Sequence, residues 1–309
     1  MPLVCGVDTD ALDIVQFEGY VQGRTLILDG DGPCYAVAAT VKRLDTAIRR
    51  FQQDVLKCMF LANAQDCRIH LTASGSDKFG RHRVLAAKPY QGNRKNKAKP
   101  ALLEPLREAM QDRSNWLDEF HQVTLHRERE ADDGMMMDAY ELGDNGVIRS
   151  ADKDLRMTPY PYMDIERGIV MQGMPIGHVY LKTMNDGTRK CLGQGPLFFW
   201  AQLVMGDQAD NIQGLPGLGA VAAYDMLCDA QSLDEAANIV IDKYREIDLN
   251  VIAEGWLLWL TRTHDDNVIK FMNERKLTPA NTAFVQDCIA RNWVLPREES
   301  DGHRTNGAD

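Results

Sequence analysis

The 309-residue sequence has no CxxC pair, no long apolar run and no excess of basic residues. Its seven cysteines are odd in number and scattered from Cys5 to Cys288, which fits reduced thiols rather than a disulfide framework or a zinc site. No run reaches the roughly 18 apolar residues that a membrane span requires. The opening stretch carries Asp8, Asp10 and Asp13 where a secretory signal has a basic start and an apolar core. These absences predict a soluble cytoplasmic protein with no membrane partner. Lys and Arg total 35 against 45 Asp and Glu, a formal charge of −10. Taken alone, that balance argues against a nucleic-acid partner, because phosphate binding leaves a basic footprint. What is present is an ordinary globular composition, 44% hydrophobic and 26% charged. Such a chain can bury a sizeable core, and its length suggests roughly two domains.

Strand and helix signals alternate through the first two thirds of the chain and predict an α/β sheet domain. Thr25–Asp29, TLILD, is a short apolar run ending in a carboxylate, as in a parallel strand buried on both faces. Val37, Val41, Leu44, Ile48, Phe51 and Val55 recur at helical spacing and predict one helix across 34–59. Residues 68–73 read as a second strand, ALLEPLREAM as a charge-mixed helix, and His121–His126 as an alternating strand. A helix begins at Glu130, a short strand covers 146–150, and 178–192 reads as a hairpin turning at Asn185, Asp186 and Gly187. Beyond about Leu203 the pattern becomes helical as far as Trp293. The expected division is a leader (1–24), an α/β domain (25–203), a helical module (204–296) and a flexible tail (297–309).

Acidic residues gather where predicted strands end or helices begin. Asp29 and Asp31 close the first strand, and Asp77 follows the second. Glu130, Asp132 and Asp133 open a helix, Asp152 and Asp154 follow the short strand, and Asp207 and Asp210 stand three apart. Each group alone has a plain reading as a helix cap or a turn. Together at one sheet edge they would repel strongly unless a cation lay among them. With no His or Cys cluster competing, hard oxygen ligands point to Mg²⁺ or Mn²⁺, and two such ions can clamp a phosphodiester. Residues 78–99 hold eight Lys or Arg and no acid, and an aromatic, Tyr90, sits inside the run. That mixture suits a phosphate backbone with a base stacked on the ring, although charge runs are often only solvated loops. GLPGLG, with Gly214, Gly217 and Gly219, reads as a tight turn whose backbone N–H groups and following helix suit a phosphate.

In order, LILDGDG, SGSDK, KPYQGNRK, EADD, SADKDL and GDQADNIQGLPGLG resemble the motifs of the 5′-nuclease superfamily, which includes flap endonucleases and phage 5′→3′ exonucleases. The likeness is nearest to the stand-alone phage enzymes. It implies a mixed twisted sheet flanked by helices, a helical arch at about 95–120, and a C-terminal helix-three-turn-helix DNA-binding module. It implies metal ligation by Asp29, Asp77, Glu130, Asp132, Asp133, Asp152, Asp154, Asp207 and Asp210, holding two or more ions. It places DNA contacts at Arg81, Arg83, Tyr90, Arg94, Lys95, Lys97 and Lys99 and at Gly214, Gly217 and Gly219, with K⁺ in the glycine turn. Arg94 matches the family's phosphate-binding arginine. One departure stands out: the family's lysine after the tyrosine is here Gln91, leaving Lys88, Lys95 and Arg83 as candidates to supply that charge.

The resemblance implies a monomeric 5′→3′ exonuclease acting on DNA 5′ ends, with flap-endonuclease and RNase H-type activity on RNA–DNA hybrids. It implies a two-metal mechanism, 5′-phosphorylated products, and a role in phage replication, primer removal or host-DNA breakdown within a bacterial cytoplasm. It identifies no replication partner. Two rivals remain at this point. LILDGDG also resembles the first motif of haloacid-dehalogenase-type phosphatases, with Asp29 and Asp31 as the acid pair. A DNA-junction-binding protein without catalysis is the other, for which only Gln91 speaks. Setting the nine candidate ligands aside leaves 36 acidic residues against 35 basic ones. The negative balance is therefore consistent with a metal centre in an otherwise near-neutral chain.

Overall fold

The structure, a computed structural model, describes residues 3–4, 7–8, 20–94, 98–116 and 119–296. Most of the expected leader, the tail at 297–309, Lys95, Lys97 and the Arg94 side chain lie outside the described residues. Within the leader, Leu3–Val4 (β1) and Val7–Asp8 (β2) pair antiparallel.

Thr25–Asp29 forms β3, buried along its first four residues as a run covered on both faces must be. It lies inside a six-stranded sheet. On one side are β4 (Asp66–Thr72) and then β5 (His121–His126). On the other are β6 (Gly146–Arg149), β7 (Tyr162–Asp164) and β8 (Ile169–Met171). Strands β5 to β7 along this order pair in parallel, and β8 closes the edge antiparallel. The sheet is thus mixed, as the motif order implied.

The strand period of two divides the apolar residues between two cores. Leu26 and Leu28 face one core, with α1 (Asp31–Thr40), α2 (Leu44–Ala62) and α3 (Leu103–Gln111). Ile27 faces the other, with α4 (Ala131–Leu142) and α5 (Leu197–Met205). The same second core takes in α6 (Ala220–Leu227), α7 (Leu233–Glu246), α8 (Val251–Leu258), α9 (Val268–Asn273) and α10 (Pro279–Ala290). A separate hairpin, β9 (His178–Thr183) and β10 (Arg189–Gln194), packs against α5 and α6.

Two expectations change. The helix predicted across 34–59 is two helices. The Thr40 hydroxyl bonds back to the carbonyls of Ala36 and Val37 at the end of α1, and Arg43 is extended. Val37 and Leu44 keep their helical spacing because both helices pack on one core, not because they share a helix. Leu203 lies inside α5, which is buried from Leu197 to Val204, and one apolar core continues from Ile27 to Trp293. In the 95–120 stretch, the described helix is α3, whose Leu103, Leu106 and Met110 are buried in the core beside α1 and α2. This packed helix stands at the rim of the site, where Leu103 and Arg107 line the cavity.

Candidate metal centre

From β3 the chain builds β4 and β5 on one side and then crosses back to place β6 on the other. In open α/β sheets the ligand crevice opens beyond the strand carboxyl ends at such a reversal. A cavity of about 590 Å³ lies there, and Asp29, Asp31, Glu130, Asp132, Asp152 and Asp210 line it.

Each carboxylate is set by its local structure. Asp29 ends β3; its Oδ2 accepts from the Ser150 hydroxyl at 2.7 Å and its Oδ1 from the Asp31 N–H at 3.0 Å. Glu130 caps α4 in a capping box with Asp133, and Asp132 sits in the first turn, where the helix dipole favours negative charge. Gly134 lets α4 lie close on the sheet, since a Cβ there would collide with the rings of His126 and His70. After β6, the Asp154 N–H bonds Asp152 Oδ1 at 2.9 Å, fixing the turn that carries both acids. Asp154, Asp207 and Asp210 offer carboxylate oxygens that all lie within 4.8 Å of one another.

Crowding raises the proton affinity of these groups. Burial first, then the charges of Asp152, Asp29, Glu130 and Asp31, pushes Asp132 well above the usual carboxylate range. Burial also raises Asp29 and Asp152, and with the charge of Asp152 it lifts Asp154 to about 7. Repulsion of this kind is what a divalent cation relieves. The donors are all hard oxygens, the set that suits Mg²⁺ or Mn²⁺.

Three assignments from the sequence need correction. Asp133 is fully buried and receives two guanidinium bonds from Arg81, at 2.7 and 2.9 Å, and the Thr261 N–H at 3.1 Å. Burial would raise its pKa, but the Arg81 charge outweighs this and holds it below the ordinary value. Its oxygens are committed to protein donors, so it is not in the ligand set. Arg81 is correspondingly 1% exposed, also bonds the Trp259 carbonyl, and is closed to DNA. Asp77 does not line the cavity; it faces Arg83 at 3.6 Å.

The remaining candidates are distributed as follows. Tyr90 is buried, with its hydroxyl donating to Glu130 Oε2 at 2.7 Å, so it offers little open ring for stacking. Arg83 also bonds the Leu295 carbonyl, Lys88 is exposed away from the cavity lining, and Lys99 lines the cavity with Glu104 3.4 Å away. Gly214 and Gly217 have left-handed backbones, φ 65° and 77°, and Gly219 caps α6. Gly214 is packed against the Gly206 backbone, where a side chain would not fit, while Gly217 and Gly219 face open space.

The sequence reading missed three cations. Lys78 Nζ donates to Gln91 Oε1 at 2.6 Å and lies 3.0 Å from Glu130 Oε1. Gln91 in turn donates to Asp210 Oδ1 at 3.0 Å and to the Tyr90 hydroxyl. An ammonium therefore does reach position 91, supplied by the lysine of SGSDK. Arg107 of α3 reaches Asp31 at 2.7 Å, joining that helix to the cavity wall. Lys153, inside SADKDL, lies between Asp154 and Asp207. The first and third stand inside motifs already noted for their acids, which was the available signal.

No family model and no curated protein matches the sequence. Solved structures do match. The T5 D15 protein co-crystallised with metal ions aligns with a TM-score of 0.55 at 14% identity, covering 86% of this chain and 98% of that one. T5 5′-exonuclease with bound zinc aligns at 0.53, with the same identity and coverage. A bacteriophage T5 D15 flap endonuclease pseudo-enzyme–product complex with DNA and metal ions aligns at 0.52, again at 14% identity and the same coverage. With β3 central, the acids at the strand ends and the helices packed behind them, the chain has the fold of these T5 proteins.

Proposed function

We propose that the protein is a divalent-metal-dependent nuclease that hydrolyses phosphodiesters at DNA 5′ ends. The observation that carries this reading is the acidic cavity at the sheet's reversal point, in a fold shared with T5 5′-exonuclease. Asp29, Glu130, Asp132 and Asp152, with Asp154, Asp207 and Asp210 beside them, would hold Mg²⁺ or Mn²⁺. Bound there, the ions supply activation of water and neutralisation of charge on the phosphodiester.

The chain's own residues bind and orient. Gln91 holds the Lys78 ammonium at the cavity wall, where it can meet a phosphate oxygen as the substrate enters. Tyr90 and Arg81 fix Glu130 from behind through its Oε2. The glycine turn at 214–219 offers backbone N–H groups for a duplex phosphate, with K⁺ in the turn. We assign 5′→3′ exonucleolytic cleavage to 5′-phosphorylated products, flap cleavage and hydrolysis of RNA in hybrids as its activities, in phage replication, primer removal or host-DNA breakdown.

The test is digestion of 5′- and 3′-labelled duplex, flap and RNA–DNA hybrid substrates with Mg²⁺ and with EDTA. Early release of the 5′ label with Mg²⁺ alone supports the reading. Intact DNA together with hydrolysis of p-nitrophenyl phosphate would replace it with a phosphatase.

A further inference from the structure

The acids of this centre are not equally short of positive charge. Lys153 Nζ lies 3.0 Å from Asp154 Oδ1 and 2.7 Å from Asp207 Oδ2. Asp154 Oδ1 also accepts from Gln202 Nε2 at 2.6 Å, and Gln202 is fully buried. Asp207 Oδ1 takes the Ala209 N–H at 2.8 Å. The Phe198 ring stands 6.0 Å from the ammonium, and the Asp152–Asp154 turn fixes the backbone on either side of it. This lysine is held in place by short, charge-assisted bonds to two carboxylates at once.

The opposite wall differs. Among the described residues, the Asp132 carboxylate meets no side-chain donor and no cation. Among the described residues Asp29 is bonded by neutral donors, the Ser150 hydroxyl and the Asp31 and Gly32 N–H groups, and Asp31 has Arg107 for its own counter-charge. An incoming divalent ion therefore meets carboxylates with no bonded cation at Asp29, Asp132 and Asp152, of which only Asp152 also feels the Lys153 charge. At Asp154 and Asp207 it must first displace an ammonium from two ion pairs.

We propose that Lys153 is a built-in cation of the metal centre, holding the place between Asp154 and Asp207 so that divalent ions load first on the Asp29, Asp132 and Asp152 side. The proposal rests on the nuclease reading for the purpose of the centre, although its test requires no DNA. A lysine here keeps the second position neutralised at low metal concentration and makes its occupancy the metal-sensitive step.

Mn²⁺ binding to the full chain, followed by calorimetry and by electron paramagnetic resonance without DNA, tests this directly. The wild type should bind one ion tightly and any second at least about tenfold more weakly. Lys153→Met, similar in length but uncharged, should tighten the second ion by about tenfold and lower the metal-free melting temperature, with Mn²⁺ restoring it. Lys153→Arg should behave as the wild type. Two equally tight ions in the wild type, or unchanged binding in Lys153→Met, overturns the proposal. If Lys153→Met does not fold, the wild-type ion count decides by itself. A chain that binds Mn²⁺ as described yet leaves DNA intact keeps this role for Lys153 and loses the nuclease reading.

Discussion

Asp132 and Asp133 are neighbours in one helical turn, yet they have opposite surroundings. Asp132 faces the cavity and the charges of Asp152, Asp29 and Glu130, whereas Asp133 faces Arg81 in the core. Asp132→Asn removes one charge from a crowded site. It should abolish Mg²⁺-dependent cleavage, a loss of about 100-fold or more, while raising the melting temperature of the metal-free protein. Asp133→Asn leaves the buried Arg81 charge without its partner, a change that costs about 3 kcal/mol or more. Urea denaturation and Mn²⁺ titration of the two variants separate these roles. Asp133→Asn should lose stability first, and Asp132→Asn should lose metal affinity first. Sequence could not divide the pair, because Arg81 lies 52 residues from Asp133 and only the packed fold brings them together. Lys78 was hidden for the same reason: its link to Gln91 depends on left-handed backbones at Lys78, Phe79 and Gln91 that no periodicity announces.

At the scale of elements, α4 carries the heaviest constraint. Glu130 is its N-cap, Asp132 lies in its first turn, and its fourth residue, Gly134, lies against His70 of β4 and His126 of β5. Gly134 is what permits that approach. Gly134→Ala must push the helix off the sheet or displace the His70–His126 pair, whose ring nitrogens are 2.9 Å apart. Overpacking of this kind costs about 1–3 kcal/mol. We expect that loss in urea denaturation, accompanied by weaker Mn²⁺ binding as Asp132 moves out of register with Asp29. A loss of stability with unchanged metal affinity would show that the helix recovers its position. The strands β3, β5 and the β9–β10 hairpin were legible because apolar runs, alternation and turn residues are local signals. The break between α1 and α2 was not, since a bent pair of helices packed on one core keeps the apolar spacing of a single helix. The packed placement of α3 was equally illegible, because its charge-mixed sequence conceals that only Leu103, Leu106 and Met110 need burial.

At the scale of the molecule, the formal charge of −10 and the fold are connected through pH. A carboxylate whose pKa is raised on folding is protonated in the native chain at pH values where the unfolded chain has lost that proton. Its contribution to stability therefore declines as pH rises through the folded pKa. Asp154, at about 7, and the raised Asp29, Asp132 and Asp152 all act in this direction. The histidines act oppositely but elsewhere. Burial and the His70 charge lower His126 to about 4, and burial and Lys78 lower His82. Their destabilising effect builds below the ordinary histidine value of about 6.5 and is absent above it. In the window from about pH 6.5 to 7, then, Asp154 loses its proton without opposition from these two groups. The metal-free protein should lose stability steadily across that window, read as a falling urea midpoint in EDTA. Saturating Mg²⁺ favours the ionised carboxylates, so the same series with Mg²⁺ should be flat and lie higher throughout. Equal slopes with and without Mg²⁺ would mean that these acids are neutralised by the protein itself, and the cavity would no longer stand as a metal centre.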